Sequence, residues 1–191
     1  LSEDARSTTL FDRLHLDLHA YKARGTGDIT IHVDSDEPEQ LGFDIRFATI
    51  DLIHQEDATS HFTGENLVFA AAGTTVLIPW DTLQSGISHV SVEIPRVRAP
   101  DLKVYQRYIP TKLALVIEGG EGQLEGRARL TRTDFEGSLE LRSTAAVISL
   151  TDYRFRTDLE LGVNINAPEF GSGKVDVSGT SVKLKSARLI R

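Results

Sequence analysis

The chain has 191 residues, of which 40% are hydrophobic and 26% charged, so it is long enough to bury a core and is unlike a disordered segment in composition. Its formal net charge of −7 argues against a nucleic-acid partner, which would require a basic face, and gives no general attraction to anionic lipid head groups. The chain contains no cysteine, which excludes disulfide and thiol chemistry.

The N-terminal half of the chain predicts a succession of β-strands. Apolar and polar residues alternate over residues 14–18, 29–33 and 43–47, which is the period-two pattern of half-buried strands. The phase of this alternation changes near Ala48, which predicts a β-bulge there. Further strands are predicted at residues 61–69, 74–78 and 90–94.

The middle of the chain has a different pattern. Pro100 and Pro110 bracket a segment in which Leu102, Tyr105 and Ile109 recur at near-helical spacing. This spacing predicts a short helix or a single turn between two sheet regions.

The stretch from Gly119 to Leu189 is a train of alternating segments that are cut by glycines. Its longest unbroken alternation covers residues 153–165, about 40 Å if fully extended. Four glycines within the train, which allow a sheet to bend sharply, predict strong curvature: Gly126, Gly137, Gly162 and Gly179.

The predicted fold class is therefore all-β: a long, strongly curved antiparallel sheet, forming either a groove or an open sandwich, with at most one or two short helices. We expect residues 1–191 to form one elongated β domain; a division into two sheet segments near residues 95–111 stays open as an alternative. The chain begins Leu1-Ser2 and contains no methionine, from which we expect a fragment of a longer protein.

One face of this sheet is apolar and the other carries mixed charges. Residues of both charge signs are expected on the solvated face: Arg127, Arg129, Glu140, Arg142, Arg154, Arg156, Asp158 and Glu160. The apolar face is interpreted either as sealed core or as a groove that is open to lipid acyl chains. The candidates for lining such a groove are Leu124, Leu130, Leu139, Leu141, Tyr153, Phe155, Leu159, Leu161 and Val163.

No constellation of residues predicts catalysis, a cofactor or a metal. His15, Asp17 and His19 share one strand face, and a solvated face is favoured over a metal site because the outer pair is too far apart. The acidic loop at residues 34–39 lacks the spacing of a calcium loop. The six histidines are scattered, mostly in the polar phase of strands, where a solvent-facing ring is expected. A hydrolase that uses Asp34, Asp36 or Asp51 stays as an alternative.

The segment VRAPDLKVYQRYIPTKLALVIEGGEGQLEGRARL resembles a pattern found in the bacterial AsmA-like proteins, which include the TamB-like envelope proteins. The likeness covers about residues 95–190 and is carried by Pro100, Asp101, Leu102, Tyr108, Pro110, Gly119, Gly120, Gly122, Leu124 and Gly126. It implies a long, taco-shaped β groove with a hydrophobic inner surface, tethered by an N-terminal transmembrane helix outside this chain.

The function expected from this resemblance is that of a non-enzymatic periplasmic segment, anchored to the inner membrane in the full-length protein. Its groove would hold phospholipid acyl chains during intermembrane lipid transport or outer-membrane assembly, with other envelope proteins as partners. The alternative is a structural or interaction β-sandwich module of a secreted or surface protein.

Overall fold

The computed structural model describes residues 5–18, 20–33, 40–74, 87–108, 114–169 and 174–190. Within these ranges the chain forms ten β-strands and one 3₁₀ helix, Leu102–Tyr108. The strands are β1 Ala5–Leu18, β2 Tyr21–Val33, β3 Gln40–His54, β4 Ser60–Thr74, β5 Ile87–Ala99, β6 Leu115–Gly119, β7 Gly122–Thr131, β8 Phe135–Leu150, β9 Tyr153–Ala167 and β10 Ser181–Ile190. The predicted all-β class is confirmed.

The ten strands make one antiparallel sheet that is not closed, in the order β1-β2-β3-β4-β5-β7-β8-β9-β10. Strand β6 lies off this path and pairs with residues 147–150 of β8, whereas β7 pairs with residues 135–142 of the same strand. Because β5 pairs with β7, the strands before and after the 3₁₀ helix belong to one sheet.

The bulge predicted near Ala48 is confirmed. Thr49 lies opposite Thr26 and Phe47 opposite Gly27, so Ala48 is the extra residue between two paired positions. An extra residue reverses the side-chain phase, which is why Phe47 and Ile50 are both buried on the same face.

Strand β9 is the long alternation that the sequence predicted, and it fixes the two faces of the C-terminal half. Cross-strand partners place Leu124, Leu141, Leu161 and Val182 in one row across β7, β8, β9 and β10. Directly opposed residues of neighbouring strands point to the same face, so this row belongs to the apolar side.

The sheet has two ends that differ in their packing. The end that carries the 3₁₀ helix, where β5 and β8 finish and β7 and β9 begin, is called the helix end; the opposite one is the distal end. A continuous cluster of buried residues extends from Leu14 on β1 to Leu159 on β9 and includes Leu102 of the 3₁₀ helix. Such burial within one layer fits the curved sheet that the glycines predicted.

Several predicted features fall on other parts of the chain. The acidic loop at 34–39, most of the strand predicted at 74–78, and His19 lie outside the described residues. Val175 and Val177 flank an isolated bridge between Asp176 and Asn166, and both valines are exposed.

Candidate functional site: an apolar trough with one closed end

All nine candidate groove residues that the sequence singled out lie in the inward phase of their strands, but they differ in exposure. Leu124, Leu141 and Leu159 are buried, and Tyr153 is 59% exposed. The rest are half-buried: Leu130, Leu139, Phe155, Leu161 and Val163. We call this apolar face of the sheet the trough.

The distal half of the trough contains an open hollow of about 160 Å³. Its walls come from β5, β7, β8 and β9 and are almost wholly apolar; they include Val92, Ile94, Ala128, Phe135, Leu139, Val163 and Ile165. These side chains are half-buried, so part of their hydrocarbon surface is packed against other residues and part is exposed to solvent. Space of this size accommodates several carbon atoms of an aliphatic chain.

The helix end of the trough is filled by the 3₁₀ helix. The side chain of Leu102 is completely buried there, in the same cluster as Leu124 and Leu141. The backbone N–H of Leu102 donates to the carbonyl oxygen of Gly120 at 2.8 Å, which fixes the start of the helix against the loop between β6 and β7.

Gln106 fixes the other side of this helix to β6. Its Oε1 accepts a hydrogen bond from the backbone N–H of Ile117 at 2.6 Å, and its Nε2 donates to the carbonyl oxygen of Leu115. Strand β6 therefore pairs with β8 on one edge, and its backbone hydrogen-bonds to the Gln106 side chain of the helix on the other.

Four aromatic rings pack together where the helix meets β4; we call Tyr21, His54, His61 and Tyr105 the ring cluster. The centroids of His54 and His61 are 5.8 Å apart, and the Tyr21 ring lies edge-on to both. Tyr105 contacts His61 at 5.8 Å and donates a hydrogen bond from its hydroxyl to the His61 carbonyl oxygen at 2.6 Å.

An ion pair lies beside the ring cluster. Arg107 Nη2 lies 2.6 Å from Asp57 Oδ2, and His54 Nδ1 lies 3.3 Å from Asp57 Oδ1. Hydrogen bonds from Thr59 and from Arg107 hold the pKa of Asp57 well below its usual range. The carboxylate thus stays ionised and joins the turn between β3 and β4 to the end of the 3₁₀ helix.

Burial sets the protonation behaviour of this region. Desolvation lowers the pKa of His61, and electrostatic interactions with Arg107 and His54 lower it further, against the opposing effects of a hydrogen bond with Thr59 and of Asp57. Desolvation also raises the pKa of the Tyr105 hydroxyl. Both groups are therefore favoured in their neutral forms.

The expectation that the histidines are mostly solvent-facing is wrong for His54 and His61. His54 is 6% exposed because it continues the inward phase of Ile50 and Leu52 on β3, a signal that the sequence already carried. His61 is 3% exposed because the 3₁₀ helix covers it through Tyr105, and this long-range contact leaves no mark on the local sequence.

The opposite face of the sheet is polar, as the charge pattern predicted. Ion pairs cross it, including Arg142 with Glu140 and Lys185 with Glu160, both at 2.6 Å. An open hollow of about 570 Å³ lies on this face over β5, β7, β8 and β9, and Arg127, Arg129, Glu93 and Glu136 contribute charges of both signs to it.

Of the three aspartates considered for hydrolysis, Asp51 is the one that lies in the described part of the chain. Asp51 accepts hydrogen bonds from Arg24 and from Ser60, which occupy both its oxygens, and Asp34 and Asp36 lie outside the described residues. In the part of the chain that the structure describes, no three His, Asp or Glu side chains are grouped so as to hold a metal ion.

No helix within the described ranges is long and apolar enough to cross a membrane. Comparisons with protein-family models, with curated proteins and with solved structures found no match to this chain.

Proposed function

We propose that this chain is a non-enzymatic lipid-binding segment whose trough holds an aliphatic chain in its distal half. The observation that carries the proposal is the half-buried, almost wholly apolar wall of the 160 Å³ hollow. Each methylene that leaves water for such a surface gains about 0.8 kcal/mol, so a hydrocarbon chain needs no polar anchor to bind there.

The closed helix end supports a directional arrangement. The buried Leu102 fills the trough at that end, and the half-buried wall begins on the distal side of Leu124 and Leu141. An acyl chain would therefore enter from the distal end or the open rim and stop against the packed core near the helix.

The resemblance to AsmA-like proteins adds the cellular setting to this proposal. The residues that carry the likeness include Leu102, Gly120 and Gly122, which build the closed end of the trough. We propose a periplasmic location, an inner-membrane tether outside this chain, and a role in lipid transport between membranes or in outer-membrane assembly, with envelope proteins as partners.

The matched pair Val163→Glu and Asn164→Glu tests the proposal. These neighbours on β9 face opposite sides of the sheet, with Val163 in the wall of the apolar hollow and Asn164 in that of the polar one. Titration with a dansyl-labelled undecanoic acid should give a saturable fluorescence increase with the native protein and with Asn164→Glu. The affinity of Val163→Glu should be at least ten-fold lower.

Organic extraction of the purified protein, followed by mass spectrometry, provides the second measurement. Copurifying phospholipid or fatty acid is expected at a defined ratio to protein. An extract without lipid together with no saturable binding of the probe would overturn the proposal, and so would equal binding by the two variants when circular dichroism shows both folded.

The second candidate is a structural or interaction module with a sealed apolar face. The burial of Leu124, Leu141 and Leu159 favours it, because these three of the nine candidate groove residues already serve as core. Failure of both lipid measurements would leave this candidate as the better account.

A further inference from the structure

Strand β10 ends the sheet with one edge unpaired in the described part of the chain. It pairs with β9 on one side, and every residue from Ser181 to Leu189 is exposed. The row of Leu124, Leu141 and Leu161 therefore continues onto β10 at Val182 and stops there. Val182 is 53% exposed, and Leu184 on the same face is 42% exposed.

The two faces of β10 have distinct chemistry. Val182 and Leu184 extend the apolar face, whereas Lys183, Lys185 and Arg188 supply positive charge and the strand contains no acidic residue. Such a basic strand is unusual in a chain whose formal net charge is −7.

The neighbour that β10 already has shows what this strand recognises. Leu159 and Leu161 of β9 lie opposite Leu184 and Val182. The acidic residues Asp158 and Glu160, which alternate with these leucines, lie opposite Lys185 and Lys183. Glu160 accepts a hydrogen bond from Lys185 at 2.6 Å, and this bond lowers the pKa of the carboxyl group. The pattern that fits β10 is thus an alternation of acidic and aliphatic side chains.

The regular part of the free edge is short. Pairing with β9 is in register from Ser181 to Lys185 and then shifts before Arg188, and Ser186 has a φ of 54°. A bulge of this kind displaces the backbone from the line of a further strand. The five residues before the bulge, 181–185, are the part of the edge that can accept a further strand.

Pairing with a second copy of β10 is disfavoured by charge. An antiparallel pair centred on this run places Lys183 opposite Lys183, and like charges directly opposite each other destabilise a sheet. Strand β1 of a second copy is also a poor match, because its inward phase near Ser7 and Thr9 is polar.

We propose that the free edge of β10 over residues 181–185 binds an extended segment of a partner protein in which acidic and aliphatic side chains alternate. Backbone hydrogen bonds of the added strand supply affinity. The lysines, together with Val182 and Leu184, determine which side chains of that strand lie on the polar face of the sheet and which on the apolar face. The added strand would cover the exposed end of the apolar row.

The probe is a fluorescein-labelled peptide with the sequence of residues 157–163, which carries the acidic and aliphatic pattern of β9. Its control has lysine in place of the two acidic residues. Fluorescence anisotropy should show at least ten-fold tighter binding of the acidic peptide, and Lys183→Glu should reverse this preference. Lys103→Glu, on the exposed side of the 3₁₀ helix, should leave it unchanged.

Hydrogen exchange locates the bound peptide. Amide exchange at residues 181–185 should slow in its presence while that of Leu159 and Leu161 stays unchanged, which separates addition at the edge from displacement of β9. Equal affinity for the two peptides, absence of binding at millimolar concentration, or slowed exchange elsewhere without change at 181–185 would overturn the proposal.

Discussion

The hydroxyl of Tyr105 donates a hydrogen bond to the backbone carbonyl oxygen of His61 at 2.6 Å, across 44 residues of sequence. This bond joins the 3₁₀ helix to the start of β4, and the ring of Tyr105 covers the buried imidazole below it. The closed end of the trough thus depends on a contact between two elements that are distant in the chain.

The substitution Tyr105→Phe tests that contact. It removes the donor while keeping the ring, so the free energy of unfolding should fall by about 1 kcal/mol. Urea denaturation of the variant gives the difference. Tyr153→Phe is the matched control because Tyr153 is exposed and should change stability by less than about 0.5 kcal/mol. Equal effects of the two substitutions would contradict the interpretation.

The stability of the fold should depend on pH through His61. Its pKa in the folded state lies below the ordinary value of 6.5, so the unfolded chain takes up a proton first as the pH falls. The contribution of His61 is fully present above about pH 6.5 and is lost as the pH falls toward the pKa of the folded state. Urea midpoints measured between pH 5 and 7.5 should decrease at the acidic side.

His61→Gln should flatten this dependence, because glutamine does not titrate. The groups that face the imidazole are Tyr21, His54, Asp57, Tyr105 and Arg107. The carboxyl of Asp57 keeps its charge throughout the measured range, since its pKa is lowered from 3.8. An unchanged slope in the variant would assign the pH dependence to other groups.

Truncation of Leu102 should unpack the closed end. The side chain is fully buried, and Leu→Ala at such a position costs about 2–5 kcal/mol through lost burial and the cavity that remains. Calorimetric or urea unfolding measures the loss. The neighbouring Lys103 is exposed, so Lys103→Ala should stay within about 0.5 kcal/mol of the native protein.

Thr157 anchors the last strand of the sheet. Its buried hydroxyl donates to the carbonyl oxygen of Lys185 at 2.9 Å, next to the register shift of β10. Thr157→Val keeps the shape of the side chain and removes the donor, at a cost of about 1 kcal/mol. Faster amide exchange over residues 181–190 is expected, whereas Val in place of the exposed Thr144 should leave that exchange unchanged.

The turn between β8 and β9 stores backbone strain at Thr151. Its φ of 55° is in the left-handed region, which a β-branched residue adopts unfavourably. Thr151→Gly should therefore stabilise the protein by about 0.5–1 kcal/mol, the relief of strain exceeding the added entropy of the unfolded chain. Asp152→Gly is the control: its φ is not positive, so only the unfavourable entropy term applies and thermal stability should fall.

Local pattern was enough to predict β9 and the bulge of β3 but not how the 3₁₀ helix packs against the sheet. The period-two alternation of residues 153–165 predicted β9, and the phase change at Ala48 predicted the bulge of β3, because side-chain phase is set by the backbone within a few residues. The near-helical spacing between the two prolines predicted a short helix or a single turn, and the 3₁₀ helix lies there. Its position against β4 and β6 depends on Tyr105 and Gln106 meeting groups elsewhere in the chain.

The candidate site shows the same division. The inward phase of Leu139 and Val163 followed from alternation, since opposed residues in adjacent strands share a face. Their half-buried state, in contrast to the buried Leu141, reflects which end of the sheet the helix fills. The alternation of apolar and polar residues does not indicate which end of the sheet the helix fills, so the closed end of the trough could not be predicted.

The strand order has a consequence for how such a chain can change in length. Each of β1 to β4 pairs with the next strand along the sequence, so a hairpin inserted between β1 and β2 widens the sheet by two strand spacings, about 9.6 Å. It creates no new long-range pairing. Insertion between β6 and β7 would separate two strands that share β8. Growth of the sheet at its β1 edge would therefore keep the ring cluster and the contacts of the 3₁₀ helix, which involve β2, β3 and β4.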